Sequence, residues 1–356
     1  MVDLEKIIEI ANKFSSENEV LEIDPFGSGH IHQTYLVTTS SMEIPNFVLQ
    51  KVNTSVFSNP DNLENNHRKL TEFLRGNSNI TFVEPLLSLN DNYYVVVNKE
   101  YWRAFEYITN SKTIDFVTEP DQAYQAALAF GEFTKSLQHF PANELIEVLP
   151  GFHNINYRYE DFQNSIINSK DLASSVNNEI ETTERYYKIL QVDKLAVKTM
   201  ALRVIHNDTK ISNILFDNIT LKAKAVIDLD TVGMGFIIND FGDMVRSFTN
   251  AATEDEKDLN LVDVRINIFE GLCEGYLSSL NKIITSDEIK YFLFGVKSII
   301  YEQGMRFLTD YLSNNSYYKV DYSEQNLYRA RNQFKLLQSV LWKEHELQAI
   351  LKRYLN

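Results

Sequence analysis

Apolar residues recur in two rhythms along the chain. In the first hundred residues they form short runs bounded by Gly, Pro and Asn: Leu21–Ile23, Thr34–Val37, Phe47–Val52 and Tyr93–Val97. Such runs predict the strands of one antiparallel sheet. Leu4, Ile7, Ile8, Ala11 and Phe14 fall on one helical face ahead of that sheet. Asn59-Pro60 predicts a helix start, with Leu63, Leu70, Phe73 and Leu74 as its apolar stripe and Gly76 as its C-cap. From Asp121 the helical period takes over (Ala123, Ala127, Phe130, Phe133, Leu137), and it returns at 155–190, 261–281, 286–313 and 323–353. All seven prolines lie in the first 150 residues, which leaves the remainder free to run in long helices. The pattern predicts an α+β chain of two lobes: a small sheet-rich lobe, 1–106, and a larger, mainly helical lobe, 107–356. Residues Arg103 to Asn110 are expected to form the crossover.

The helical period stops between 201 and 247. Three short apolar runs there (Leu202–Ile205, Ile214–Phe216, Ala225–Leu229) read as strands that end in polar clusters. His206, Asp208 and Asn213 follow the first; Asp228 and Asp230 close the third. Asp and Asn are common in turns and caps, so one such loop decides little. Two loops in order, fifteen residues apart from Asn213 to Asp228, on a sheet-first layout, match the catalytic loop and metal loop of a protein-kinase-like fold. Phosphoryl transfer needs these residue types: a carboxylate to receive the acceptor's proton, here Asp208, and hard oxygen ligands for Mg²⁺, here Asn213 and Asp228. Asn207 stands where protein kinases have Arg, and Leu-Asp follows Asp228 in place of Phe-Gly, which points to small-molecule relatives.

Composition narrows the partners. With 34 basic and 49 acidic residues the net charge is −15, a surface that repels nucleic acid and anionic lipid. The single cysteine, Cys273, excludes an internal disulfide. Asp3 and Glu5 stand where a signal peptide would be basic, and no apolar run reaches ~18 residues, so a cytoplasmic chain is expected.

The segment Asp24-Pro-Phe-Gly-Ser-Gly-His-Ile-His joins two expected strands, and Gly27, Ser28 and Gly29 form a hairpin tip that can approach phosphates through backbone N–H groups. No Gly-x-x-x-x-Gly-Lys-Ser/Thr occurs, so a P-loop is excluded. His30 and His32 alternate as a metal pair might, but no third nitrogen or sulfur ligand lies near them; hydrogen bonding to sugar or phosphate is the better reading. In the third strand Gln50 occupies the slot of the phosphate-binding lysine, and Lys51 lies one residue later, on the opposite face. Glu64, on the following helix, is the candidate helix partner.

With GSGHIHQTYLV, FVLQKVN, HNDTKISNILFD, VIDLDTV, DFGDMVRS and YEQGMRFLTDYL, the whole chain resembles the aminoglycoside phosphotransferase and choline kinase superfamily, and most of all its N-acetylhexosamine 1-kinases. The resemblance implies ATP and Mg²⁺ as cofactors, with adenine near Glu106–Ile108 and with Asp208 as base for a sugar's anomeric hydroxyl. His206 and Asp230 would then support the site, Asp243 would brace the catalytic loop, and Arg246 would support it or reach substrate. Arg306, Asp310 and a histidine of the glycine segment (His30 or His32) would line the acceptor pocket; Tyr317 is a candidate there on physical grounds, since a sugar needs a flat apolar face. After that run the family continues Gly-Asp-x-Tyr-Phe, where this chain has Asn314-Asn-Ser-Tyr-Tyr318, so the exact sugar stays open. The alternatives are another small hydroxyl acceptor (choline, homoserine, methylthioribose or an aminoglycoside) or a non-catalytic nucleotide-binding protein, the latter suggested by Gln50.

Overall fold

The computed structural model describes residues 4–14, 20–27, 31–40, 46–78, 80–190, 200–280 and 282–354. The N-terminal lobe contains α1 (Leu4–Ala11), β1 (Val20–Pro25), β2 (Gln33–Thr39), β3 (Phe47–Lys51), α2 (Pro60–Leu74), β4 (Thr81–Phe82), β5 (Pro85–Leu86), β6 (Tyr94–Val97) and β7 (Glu100–Glu106). Its antiparallel sheet runs β1-β2-β3-β7-β5, with β6 paired to β7. Strand alternation gives the sheet two faces. Tyr35, Val37, Phe47, Leu49, Trp102 and Ala104 pack with Ile7, Ile10 and Ala11 of α1 into one small core. Val48, Gln50, Arg103 and Phe105 take the other face, with Gln50 directly opposite Arg103 in register. The segment expected as crossover from Arg103 is therefore strand as far as Glu106, and Tyr107–Asn110 makes the passage between lobes.

α2 starts with Pro60 after Asn59 and ends as glycine dictates. Gly76 has φ +77°, and the N–H groups of Asn77 and Ser78 close on the Leu74 carbonyl.

The larger lobe follows with β8 (Ser111–Lys112), α3 (Pro120–Ser136), α4 (Ile155–Asn168), α5 (Lys170–Ser174), α6 (Asn177–Leu190), β9 (Arg203–Ile205), β10 (Ile214–Asp217), β11 (Ala223–Val226), β12 (Gly233–Gly235), α7 (Ile237–Thr249), α8 (Ile266–Leu280), α9 (Ser286–Lys290), α10 (Phe292–Leu312), α11 (Gln325–Trp342) and α12 (Glu344–Lys352). The helical stretch expected at 155–190 is thus three helices. The β10–β11 hairpin is flanked by β8 and, through a parallel pairing, by β4 from the first lobe; β9 pairs with β12. This is the two-lobed, protein-kinase-like α+β architecture. Among the described residues no helix is long and apolar enough to cross a membrane.

Backbone contact between α7 and α10 sets the geometry of the larger lobe. A Cβ on Gly242 would lie 2.6 Å from the Gly295 carbonyl oxygen, and one on Gly295 would lie 2.3 Å from that of Ile238. Because the obstacle is backbone, no rotamer relieves it. Gly242→Ala is expected to lower stability by about 1–3 kcal/mol through overpacking, despite alanine's better helix propensity. Denaturant unfolding checks this; unchanged stability would mean that the helices separate freely.

Candidate active site

β9 delivers the chain into His206-Asn207-Asp208. His206 is fully buried: its Nδ1 accepts from the Asp208 N–H, its Nε2 donates to the Ile227 carbonyl, and its ring meets Phe130 and Phe133 edge-on. Ile227 in turn donates its N–H to the Asn213 carbonyl. The residue before Asp228 is therefore pinned to both ends of the catalytic loop, which brings Asp208, Asn213 and Asp228 together. Asn207 (φ +65°) and Asp228 (φ +62°, ψ +62°) both occupy left-handed conformations, which Asn and Asp tolerate better than other side chains.

One oxygen of Asp208, Oδ2, accepts from Lys210 Nζ at 2.9 Å and Asn213 Nδ2 at 3.0 Å. Those bonds leave Oδ1 out, and the side chain is 24% exposed. Burial alone would raise this carboxyl, but the Lys210 ammonium, with help from His206 and Asn213, brings it down to about 2. The group is a stable anion that directs a hydroxyl proton. Burial opposes the charge on Lys210, yet the Asp208 and Asp228 carboxylates raise its pKa. Lys210 lies inside HNDTK, but the sequence alone does not mark it for a role. Asp228 itself is exposed.

The catalytic loop is braced by Asp240 on α7. Its Oδ2 accepts the His206 N–H at 2.9 Å, its Oδ1 accepts the Asn207 N–H at 2.8 Å, and its carbonyl accepts the Thr209 hydroxyl at 2.7 Å. Burial pushes its carboxyl up to about 6, so at neutral pH both oxygens are acceptors. Asp243, expected in that bracing role, instead holds Arg246 Nε through Oδ1 at 2.8 Å, while Arg246 also reaches Glu254. Asp243 Oδ2 is buried without a partner.

In the lysine slot, Gln50 Oε1 accepts from Arg103 at 2.8 Å (Nε) and 2.6 Å (Nη2), and Gln50 Nε2 donates to Thr34. Lys51 lies across the sheet, where it shares Glu100 with Lys6, each at 2.7 Å. The hydrogen bonds from these two lysines lower the Glu100 carboxyl from its ordinary 4.5 to about 2. A depressed folded-state pKa contributes stability above the unfolded pKa that is lost as pH falls through the folded one. The stability gap between wild type and Glu100→Gln is accordingly expected at neutral pH and should close between about pH 4.5 and about 2. Denaturant unfolding across that range checks it; a gap independent of pH would remove the ion pairs from the argument. Glu64 lines a small cavity with His67 and Arg103, and burial raises its carboxyl.

Asp230 is only 3% exposed and faces the first lobe. It accepts from His32 Nε2 and His67 Nε2, both at 2.8 Å, and from the two terminal nitrogens of Arg103 at 2.7 and 2.6 Å. Burial would raise its carboxyl, but Arg103 and the two histidines hold it well below the usual range. His32 thus binds a carboxylate. Ser28, Gly29 and His30 lie outside the described residues; Gly27, at φ +79°, ends the described part of the turn. Phe26 beside it meets Tyr107 edge-on at 5.9 Å, between Glu106 and Ile108. The Ile108 carbonyl accepts the Ser111 hydroxyl.

On α10 the Arg306 guanidinium stands over Phe152 at 4.9 Å, near Tyr318 at 5.7 Å and Tyr317 at 5.9 Å. Asp310 turns away from this box: its carboxylate accepts the N–H groups of Tyr317 and Tyr318 and the Asn326 amide. Asn314 and Asn315 make the preceding turn in left-handed conformations, at φ +59° and +55°. A further residue missed in the sequence, His153, joins α10 to the catalytic loop, with Nδ1 on Glu302 at 3.1 Å and Nε2 on the Asn207 carbonyl at 3.0 Å. Both partners are acceptors, so both ring nitrogens donate. Burial would lower its pKa, yet Glu302 raises it.

A sequence profile of the phosphotransferase enzyme family (APH) matches residues 22–268, well over half the chain, and the chain belongs to this family. The solved structures similar to it include a microcompartment-associated aminopropanol kinase (16% identity, TM-score 0.69, covering 96% of this chain and 98% of that one). Spectinomycin phosphotransferase in complex with ADP and spectinomycin is similar over 96% and 98% (12% identity, TM-score 0.63). Choline kinase from Cryptosporidium parvum is similar over 99% of both chains (17% identity, TM-score 0.58). At these identities the likeness concerns the fold.

Proposed function

We propose that the chain transfers the γ-phosphoryl group of ATP to a hydroxyl of a small uncharged acceptor, with the anomeric hydroxyl of N-acetylglucosamine or N-acetylgalactosamine as the favoured one. The observation that carries this reading is Asp208, partly exposed and anionic, with one oxygen held by Lys210 and Asn213 and with Asp228 exposed beside it. Asn213 and Asp228 offer an amide oxygen and a carboxylate, hard donors that suit Mg²⁺. When bound, Mg²⁺ neutralises charge on the phosphate oxygens. Asp208 Oδ1 takes the proton of the acceptor's hydroxyl as the hydroxyl oxygen bonds to the γ-phosphorus, and the bond from that phosphorus to the β–γ bridging oxygen breaks to release ADP. Lys210 is a cation within reach of the same place. Adenine lies along Glu106–Ile108, and Phe26 beside Gly27 closes that end.

The acceptor class is read from charge. The aromatic box of Phe152, Tyr317 and Tyr318 already holds the protein's own Arg306, and the Arg158 guanidinium lies 5.8 Å from the same Phe152 ring. Two guanidinium groups repel a polycationic aminoglycoside or a quaternary ammonium. They offer donors to hydroxyl and acetamido oxygens, and Tyr317, 40% exposed, offers a flat face to a sugar ring. The test is ADP release with Mg·ATP across N-acetylhexosamines, plain hexoses, aminopropanol, choline, homoserine and an aminoglycoside. Turnover confined to the N-acetylhexosamines is expected. Turnover on an amine instead would discard the sugar and keep Asp208; a chain that neither releases ADP nor binds Mg·ATP would end the phosphotransferase reading.

A further inference from the structure

A protein-kinase-like first lobe is normally oriented by a lysine on its third strand paired with a helix glutamate. Here the strand slot holds a neutral amide, Gln50, and the cation stands one strand over, as Arg103 on β7 in direct register with it. The group that receives this cation comes from the other lobe: Asp230, two residues beyond Asp228. Arg103 grips it bidentately, while its Nε and Nη2 turn to Gln50 and its guanidinium lies 5.0 Å above Phe105. His67 of α2 and His32, ahead of β2, complete the set; the Asn53 N–H donates to His32 Nδ1, which leaves the proton on Nε2 for Asp230. His32 stacks on Phe57 and His67 leans on Phe105, so both rings are held in place.

A carboxylate has about four lone-pair positions. On Asp230 four N–H donors fill them, two on each oxygen, and the side chain is 2% exposed. No position is left for a metal ion, in contrast to the exposed Asp228. We propose that Asp230 is a positioning residue, the docking point at which the catalytic lobe captures Arg103, His32 and His67 of the first lobe and so fixes the nucleotide cleft around Asp228, without itself binding metal. The kinase ion pair is thereby replaced by one that spans the lobes. Gln50 is explained as well: a lysine there would face the Arg103 guanidinium, whereas an amide oxygen joins the grip.

The inference rests on the phosphotransferase reading, and its test keeps the two apart. Removing either charge alone strands the other in the interior and destabilises the fold, so the informative variant is the double one, Asp230→Asn with Arg103→Gln. The probe is Mg·AMP-PNP, with binding followed by calorimetry and folding by thermal melting. The double variant is expected to melt cooperatively and to bind the nucleotide at least ~10-fold more weakly, a deficit that saturating Mg²⁺ does not repair. Arg103→Lys, which keeps the charge but loses the planar fork, is expected to show a smaller loss in the same direction. Wild-type affinity in both variants would overturn the inference, and so would recovery at saturating Mg²⁺, which would make Asp230 a metal ligand. A wild-type chain that binds no Mg·AMP-PNP would instead sink the phosphotransferase reading.

Discussion

Asp208→Asn should fold as the wild type does, bind Mg·ATP and turn over its acceptor at least ~10²–10⁴-fold more slowly, the range of a positioned general base. The substitution is nearly isosteric. The bonds that hold residue 208 in place through its backbone, from its N–H to His206 and from Asn213 to its carbonyl, do not involve the exchanged atom. Lys210 loses one counter-charge but keeps Asp228 nearby, so its ammonium is not stranded. What disappears is the anionic oxygen on the side away from Lys210 and Asn213, where an incoming hydroxyl needs an acceptor. Steady-state ADP release measures the turnover, and calorimetry with Mg·AMP-PNP measures the retained binding. Near-wild-type turnover would remove Asp208 from the reaction, and lost nucleotide binding would make it part of the phosphate site.

The large divisions and the chemistry-bearing loops were legible because they are local. Helical spacing, the Asn59-Pro60 start and the HNDTK and VIDLD strand ends each depend on neighbours in sequence. The parts that escaped depend on distant pairing. The strand Glu100–Glu106 reads as charged and irregular, and its alternation makes sense only once Trp102 and Ala104 are seen under α1 and Arg103 against the other lobe. His67 looks like one more polar residue on α2 until Asp230 is placed against it, 163 positions later. Lys210 sat inside a recognised motif, yet its use follows from the paired carboxylates on either side of it. His153 has no local signal at all, since both of its partners come from elsewhere in the chain.

The assignment of Asp240 and Asp243 shows the same limit and yields the second large effect. Both lie in the DFGD run, three residues apart, and the family resemblance points to Asp243 as the brace for the catalytic loop. In the folded chain it is Asp240 that hydrogen-bonds that loop, where its two oxygens receive the N–H groups of His206 and Asn207. Asp240→Ala leaves the buried His206 N–H and the half-buried Asn207 N–H without an acceptor, at ~1–3 kcal/mol each. A loss of about 2–6 kcal/mol is severe against a typical total of ~5–15 kcal/mol. Asn207 is also held left-handed at φ +65°, immediately before Asp208, so slack there displaces the base. Asp240→Asn, which retains one acceptor oxygen, should therefore stay folded and lose kcat at least ~10-fold with little change in nucleotide KM, because only the positioning of the loop is weakened. Asp243→Asn disturbs the contact with Arg246 and should leave kcat closer to wild type. Steady-state kinetics on the two asparagine variants decides between them: a larger kcat loss in Asp243→Asn would move the brace back to Asp243, and equal losses would show that α7 supports the loop as a whole rather than through one carboxylate.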